Sequence, residues 1–163
     1  MRQNSNRLVS EMSVRKRVED AEFLWKSGRR EGAWVLAMVA TAATARKRYP
    51  KPMSDNQSFK NYIRDVTFTI ASGRPKLANM RDGQFLIKFE NRAFEDVLYE
   101  DYRCYLIHEG GLKTSGLTES SVKDGDIVET LVVGQNIQLP DHWVLNLLNA
   151  IRWSPENAAE FAC

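Results

Sequence analysis

The chain has 163 residues, 43% hydrophobic and 27% charged, with a net charge of +2, which fits one soluble globular domain able to bury its own core. No run of about 18 apolar residues offers a membrane span, and the N-terminal Met1-Arg-Gln-Asn-Ser-Asn-Arg7 lacks a signal-like apolar stretch, so a cytoplasmic protein is expected. Two cysteines and two histidines, with no HxH, HExxH or Cys/His cluster, argue against a disulfide framework or a transition-metal site, and no metal or other cofactor is expected.

In chain order, a first helix is predicted over 13–26, where Val14, Val18, Ala21 and Trp25 recur at helical spacing. Ser27-Gly28-Arg29-Arg30 breaks it. A second helix runs to about Tyr49, with Val35, Met38, Val39 and Ala42 as its apolar stripe. Its other faces carry Gly32, Ala33, Ala37, Ala40, Thr41 and Ala43, small enough to let another helix approach. The short connection makes the two helices antiparallel neighbours. Tyr49-Pro-Lys-Pro52 ends the second.

Ser54 or Asp55 caps a third helix containing Phe59, Tyr62, Ile63 and Val66. Its end is open, because Val66 to Ile70 also alternates like a strand. Residues 72–83 read as loop, and Phe85, Ile87 and Phe89 alternate as a short strand. The next helix spans about 93–109, with Phe94, Val97, Leu98, Tyr102, Tyr105 and Leu106 inward and Gly110-Gly111 as its left-handed stop. Ile127–Val133 and Asn136–Leu139 flank Gly134-Gln135 as a hairpin. A last helix from Pro140-Asp141 through Arg152 buries Val144, Leu147, Leu148 and Ile151, and Ser154 to Cys163 reads as a loose tail. The expectation is therefore one mainly α domain over 1–163. Its helical core occupies 13–111, a hairpin and C-terminal helix 112–153, and the tail 154–163.

Charge is uneven along the chain. Residues 1–60 hold 13 Lys and Arg against 6 Asp and Glu, whereas residues 61–163 hold 10 against 15. A basic half can draw in a polyanion such as RNA. It can equally meet the acidic half, within the chain or across a dimer. Arg46-Lys47-Arg48 sits where a helix C-terminus favours cations in any case.

Tyr99-Glu-Asp-Tyr-Arg-Cys-Tyr-Leu-Ile-His-Glu-Gly-Gly111 carries the chemistry. Arg103 and His108 lie five residues apart, which at 3.6 residues per turn is about 140° around an α-helix. A single helix then does not aim both at one atom, and a two-fold axis beside it supplies a shared cleft, as in an isologous dimer. Cys104 and Asp101 stand in line with His108. Arg103 can also pair with Tyr99, Glu100 or Asp96, and His108 can simply cap helix carbonyls. His142, in the first turn of the last helix, reads as exposed and structural. Glu31 and Arg30 either border the cleft or are solvated.

Arg103-Cys-Tyr-Leu-Ile-His108 resembles the R-x4-6-H motif of the HEPN superfamily. That resemblance, over about 13–111, implies a HEPN-like antiparallel helical bundle with the hairpin and last helix as an addition. It implies a homodimer and a metal-independent ribonuclease of the kind found in toxin–antitoxin, phage-defence and RNA-processing systems, with RNA as substrate and an antitoxin as a possible protein partner. Many active members carry a polar residue, often Asn or Asp, directly after the arginine; here it is Cys104.

The chemistry implied is attack of an RNA 2′-hydroxyl on the adjacent phosphate, leaving a 2′,3′-cyclic phosphate. His108, with a reference value of about 6.5, moves a proton near neutral pH, and the last helical turn favours its charged form. Arg103 presents a planar fork to the phosphoryl oxygens. Asp101, Cys104 and Tyr102 are supporting candidates, with Tyr102 and Tyr105 able to stack on a base or to fill the core. The alternatives are a catalytically silent HEPN-like module that binds nucleotide, RNA or protein, and a structural dimerisation protein.

Overall fold

The Ser13 hydroxyl accepts a hydrogen bond from the Lys16 amide at 3.2 Å and so caps the first helix, α1 (Val14–Lys26). A computed structural model of the protein describes residues 13–111 and 116–162. Val14, Val18 and Ala21 of α1 are buried, as the periodicity predicts.

α2 (Arg30–Arg48) lies against α1, against the helices over Asp55–Ser72 and Trp143–Trp153, and against the helix that carries Arg103. Of the predicted stripe only Met38 is fully buried. Ala33, Trp34, Ala37, Met38, Ala40, Thr41, Thr44 and Ala45 are buried, while Val35 and Ala42 are half-buried and Val39 is exposed. The alanines and threonines face inward because a helix surrounded by neighbours is best packed through short side chains, with Trp34 filling the space they leave.

α3 (Asp55–Ser72) is capped by Ser54 and ends at Gly73, whose φ of 67° is left-handed. This settles the ambiguous stretch: Val66 and Ile70 continue the helical core row of Phe59, Tyr62 and Ile63, and the Asn146 side-chain amide donates to the Ile70 carbonyl at 2.8 Å near the helix end.

The strand expected at 85–89 shrinks to β1 (Lys88–Phe89), antiparallel to β2 (Arg92–Ala93). The predicted hairpin around Gly134-Gln135 is also corrected, since only a single bridge joins Val132 to Gln138 there. The two-residue hairpin forms instead between β4 (Ser121–Lys123) and β5 (Asp126–Val128). Asp124 and Gly125 between them have φ of 54° and 87°, the pair of positive values that a tight primed turn demands. Before it, β3 (Leu117–Thr118) runs parallel to β6 (Leu139–Pro140).

α5 (Trp143–Trp153) buries Val144, Leu147, Leu148 and Ile151 against α3 and α2. The segment after it is no loose tail. A 3-10 turn (Pro155–Asn157) and α6 (Ala158–Phe161) fold back, and fully buried Asn157 donates to Thr44 at 2.9 Å and to the Ile151 carbonyl at 3.0 Å. Arg48 binds Glu156 at 2.7 Å and Lys47 binds Glu160 at 2.5 Å. The basic end of α2 therefore meets acidic residues of the chain's own C-terminal segment. The protein is mainly helical, with small sheets beside one hydrophobic cluster drawn from α1 to α5.

Candidate functional site

Arg103 and His108 lie on an element that starts as α4 (Phe94–Val97) and widens into a π-helix over Leu98–Glu109. Its first turns are tied down by charge. Glu95, buried, pairs with Arg64 at 2.8 Å; Lys60 pairs with Asp96 at 2.8 Å; Arg92 reaches both Glu100 and Asp101. Gly110, with φ of 74°, closes the helix in the left-handed conformation that glycine adopts most readily. Phe94, Val97, Leu98, Tyr102 and Leu106 are buried, whereas Tyr105 is only half-buried.

The π-helix changes the angular relation of the two candidate residues. Hydrogen bonds from i to i+5 give roughly 4.4 residues per turn, so residues five apart stand about 50° apart and not 140°. Arg103 and His108 thus rise from one side of a single helix. No Pro or Gly between Leu98 and Glu109 announces this widening.

Their side chains have different surroundings. The Arg103 guanidinium lies 5.1 Å from the centroid of Tyr99 and 5.5 Å from that of Phe59. Its Nε is buried with no hydrogen-bond partner, and it has no carboxylate partner among the described residues. Arg30, Arg48, Arg64, Arg92 and Arg152, also half-buried, each face a carboxylate. The partners sequence offered Arg103 are otherwise engaged: Asp96 and Glu100 hold Lys60, and Tyr99 offers its ring. Phe59 of α3 is the contact sequence could not foresee, because it comes from a residue 44 positions away.

His108 is exposed and lines a shallow cavity of about 240 Å³ with Cys104, Tyr105 and Glu109. Its imidazole makes no hydrogen bond to another described residue. Cys104 is a half-buried free thiol in the same cavity. Glu31 borders this end of the helix, since a Cβ placed on Gly111 lies 3.7 Å from its carboxylate. Arg30 does not, because it stacks 3.5 Å over the Trp25 ring and pairs with Asp141.

Asp101 and Tyr102 face the other way. They line a cavity of about 440 Å³ with residues of the 133–137 loop. Asp101 accepts from Arg92 at 2.8 and 3.1 Å, so it does not orient His108. Tyr102 is buried, which corrects its candidacy as a stacking platform. Its hydroxyl donates to the Gly116 carbonyl at 2.5 Å and accepts from the Leu139 amide at 3.1 Å. Burial pushes its phenol well above the usual range, and the Leu139 amide only partly offsets this. His142 packs edge-on against Trp25, a structural placement, although half-buried where exposure was expected.

Among the described residues no three His, Cys, Asp or Glu side chains converge as metal ligands, and no helix is long and apolar enough to cross a membrane. The sequence matches the Rv1289 family over residues 13–162. The chain belongs to that family. No curated protein and no solved structure matches it.

Proposed function

We propose that this chain is a HEPN-type endoribonuclease that works without a metal, its helices forming a HEPN-like bundle, with RNA as substrate and a second copy as partner. The observation that carries the reading is Arg103: a half-buried guanidinium, 5.1 and 5.5 Å from two ring centroids and free of any carboxylate among the described residues, on the same side of a π-helix as an exposed histidine. An unpaired arginine in that setting is ready for an anion, and a phosphodiester is the anion that a neighbouring histidine can help to cleave. The RNA 2′-oxygen bonds to phosphorus, the bond from phosphorus to the 5′-oxygen breaks, His108 gives its proton to that leaving oxygen, and the 2′ proton passes to water. Arg103 stabilises the charge on the phosphoryl oxygens. A toxin or phage-defence role is the setting that the motif implies.

A second reading, binding of RNA without cleavage, is favoured by two specific features. Cys104 follows the arginine, and Asp101 is held by Arg92, so no carboxylate hydrogen-bonds His108 among the described residues. Incubation of the purified chain with total RNA in EDTA separates the readings. Cleavage that leaves 2′,3′-cyclic phosphate ends and disappears in His108→Gln supports the enzyme. Intact RNA that is retained by the protein supports binding alone. Activity lost in EDTA and restored by magnesium overturns the proposed mechanism.

A further inference from the structure

The hairpin of β4 and β5 stands outside the core. Every residue from Ser121 to Val128 is exposed, and neither strand pairs with a third. Two strands alone are marginal in water unless something packs on their apolar face. Thirteen large apolar side chains are exposed among the described residues, and six of them lie close together in sequence: Val122, Ile127, Val128, Leu131, Val132 and Val133. Val122 and Ile127 are direct cross-strand partners, 74% and 51% exposed, so their side chains share one bare face.

The two-residue turn decides which main-chain groups are free. The pair that flanks such a turn, here Lys123 and Asp126, exchanges the ladder hydrogen bonds, and the next pair points its amides and carbonyls outward. That next pair is Val122 and Ile127. Each edge of the hairpin therefore offers open backbone groups beside an exposed apolar side chain, the template on which another strand can form. The surrounding charge is acidic: residues 116–130 carry four carboxylates and one lysine, and Glu119, Asp124 and Asp126 have no ion pair among the described residues. Such a surface repels RNA, and it repels the same arm of another copy.

We propose that the β5 edge is a docking site for an extended segment of a different protein, one that alternates apolar and basic side chains and adds as a third strand. Asp126 lies on β5 and Lys123 on β4, which directs a basic segment to β5. The main chain of the added strand bonds to Ile127, and its apolar side chains cover the face of Val122 and Ile127. Its basic side chains, on the opposite face, meet Asp126. The arm lies outside residues 13–111, where the likeness to HEPN proteins lies, and docking there requires no RNA cleavage.

Calorimetric titration of the full chain with a synthetic peptide of about eight residues, alternating valine and lysine, tests the proposal. Binding at roughly 10–100 micromolar is expected, as for a small polar-rimmed contact. Ile127→Ser should weaken it about tenfold or more, and so should Glu119→Gln, Asp124→Asn and Asp126→Asn combined, with unchanged helical circular dichroism. Two methylated peptides read the strand geometry without altering the protein, and they decide the matter should a variant disturb the hairpin. Methylation of the valine nitrogens, which face β5, should abolish binding, whereas methylation of the lysine nitrogens, which face away, should not. Absence of binding at about 1 millimolar overturns the proposal. Equal binding of a valine–glutamate peptide overturns it, as does equal binding of the two methylated forms. A wild-type dimer that Ile127→Ser dissociates also overturns it, because the edge then belongs to a second copy.

Discussion

Replacing Tyr102 by Phe keeps the buried ring and removes one oxygen, so the change isolates what the hydroxyl does. That oxygen donates to the Gly116 carbonyl at 2.5 Å, lies 3.3 Å from the Ile137 carbonyl and accepts from the Leu139 amide at 3.1 Å. It joins the π-helix to the paired strands β3 and β6. The Leu139 amide keeps a second acceptor in the Gly116 carbonyl, 3.1 Å away, so the variant leaves no donor stranded. The loss is then about 1–2 kcal/mol, the net worth of one or two buried hydrogen bonds without a cavity. For a chain of this size each kcal/mol moves the midpoint by roughly 2–4 °C, which gives a fall of about 2–8 °C. Thermal unfolding followed by circular dichroism reads this directly, and RNA cleavage should be unchanged. A midpoint shift below about 1 °C with cleavage reduced more than tenfold refutes the reasoning. It would show Tyr102 touching RNA and not holding the fold.

Arg103→Ala should remove cleavage while lowering stability by only about 1 kcal/mol, the worth of its partly exposed contacts with Tyr99 and Phe59. A chain that no longer folds would make the arginine a structural residue. The Glu156 and Glu160 carboxyls are predicted to govern acid stability. Burial alone would raise both, but hydrogen bonds from Arg48 and Lys47 outweigh it and hold them below the usual carboxylate range. A depressed acid contributes stability above its unfolded value of 4.5, and that stability is lost as pH falls through the folded value. The C-terminal segment should therefore become sensitive to an acid-active protease as pH drops below about 4.5. Equal protection at pH 6 and at about pH 3 contradicts the assignment.

Much of the helical architecture is legible in the sequence, because Ser13 and Ser54 cap helix starts and Gly110 takes the left-handed conformation at a helix end. α2 is not legible in the same way. A helix apolar on every side gives periodicity little to choose between, and of the stripe marked by its bulkier residues only Met38 is fully buried. The hairpin was misplaced for a related reason. Long apolar runs outweighed Asp124-Gly125, although only that pair supplies two residues able to take positive φ. The C-terminal segment looked loose because its anchors, Arg48, Lys47 and Thr44, come from α2, more than a hundred residues earlier.

The site was half legible. Arg103, Cys104 and His108 stand out as residue types, and the glycines beyond them mark the helix end. Their angular relation could not be read, since it depends on a π-helix that no Pro or Gly signals. Asp101 is held by Arg92, nine residues earlier, a pairing that sequence spacing does not reveal. The Phe59 ring beneath Arg103 is a tertiary contact and leaves no local trace.

The central claim is that Arg103 and His108 act on one phosphate, and a double-mutant cycle tests it most directly. Cleavage rates of a single RNA in EDTA are measured for the wild type, Arg103→Ala, His108→Gln and the double variant. Each single change should cost about a hundredfold or more, and the double variant should be little slower than the weaker single one, as expected of groups serving one transition state. Two losses that multiply, or a wild type that leaves RNA intact, would contradict the account.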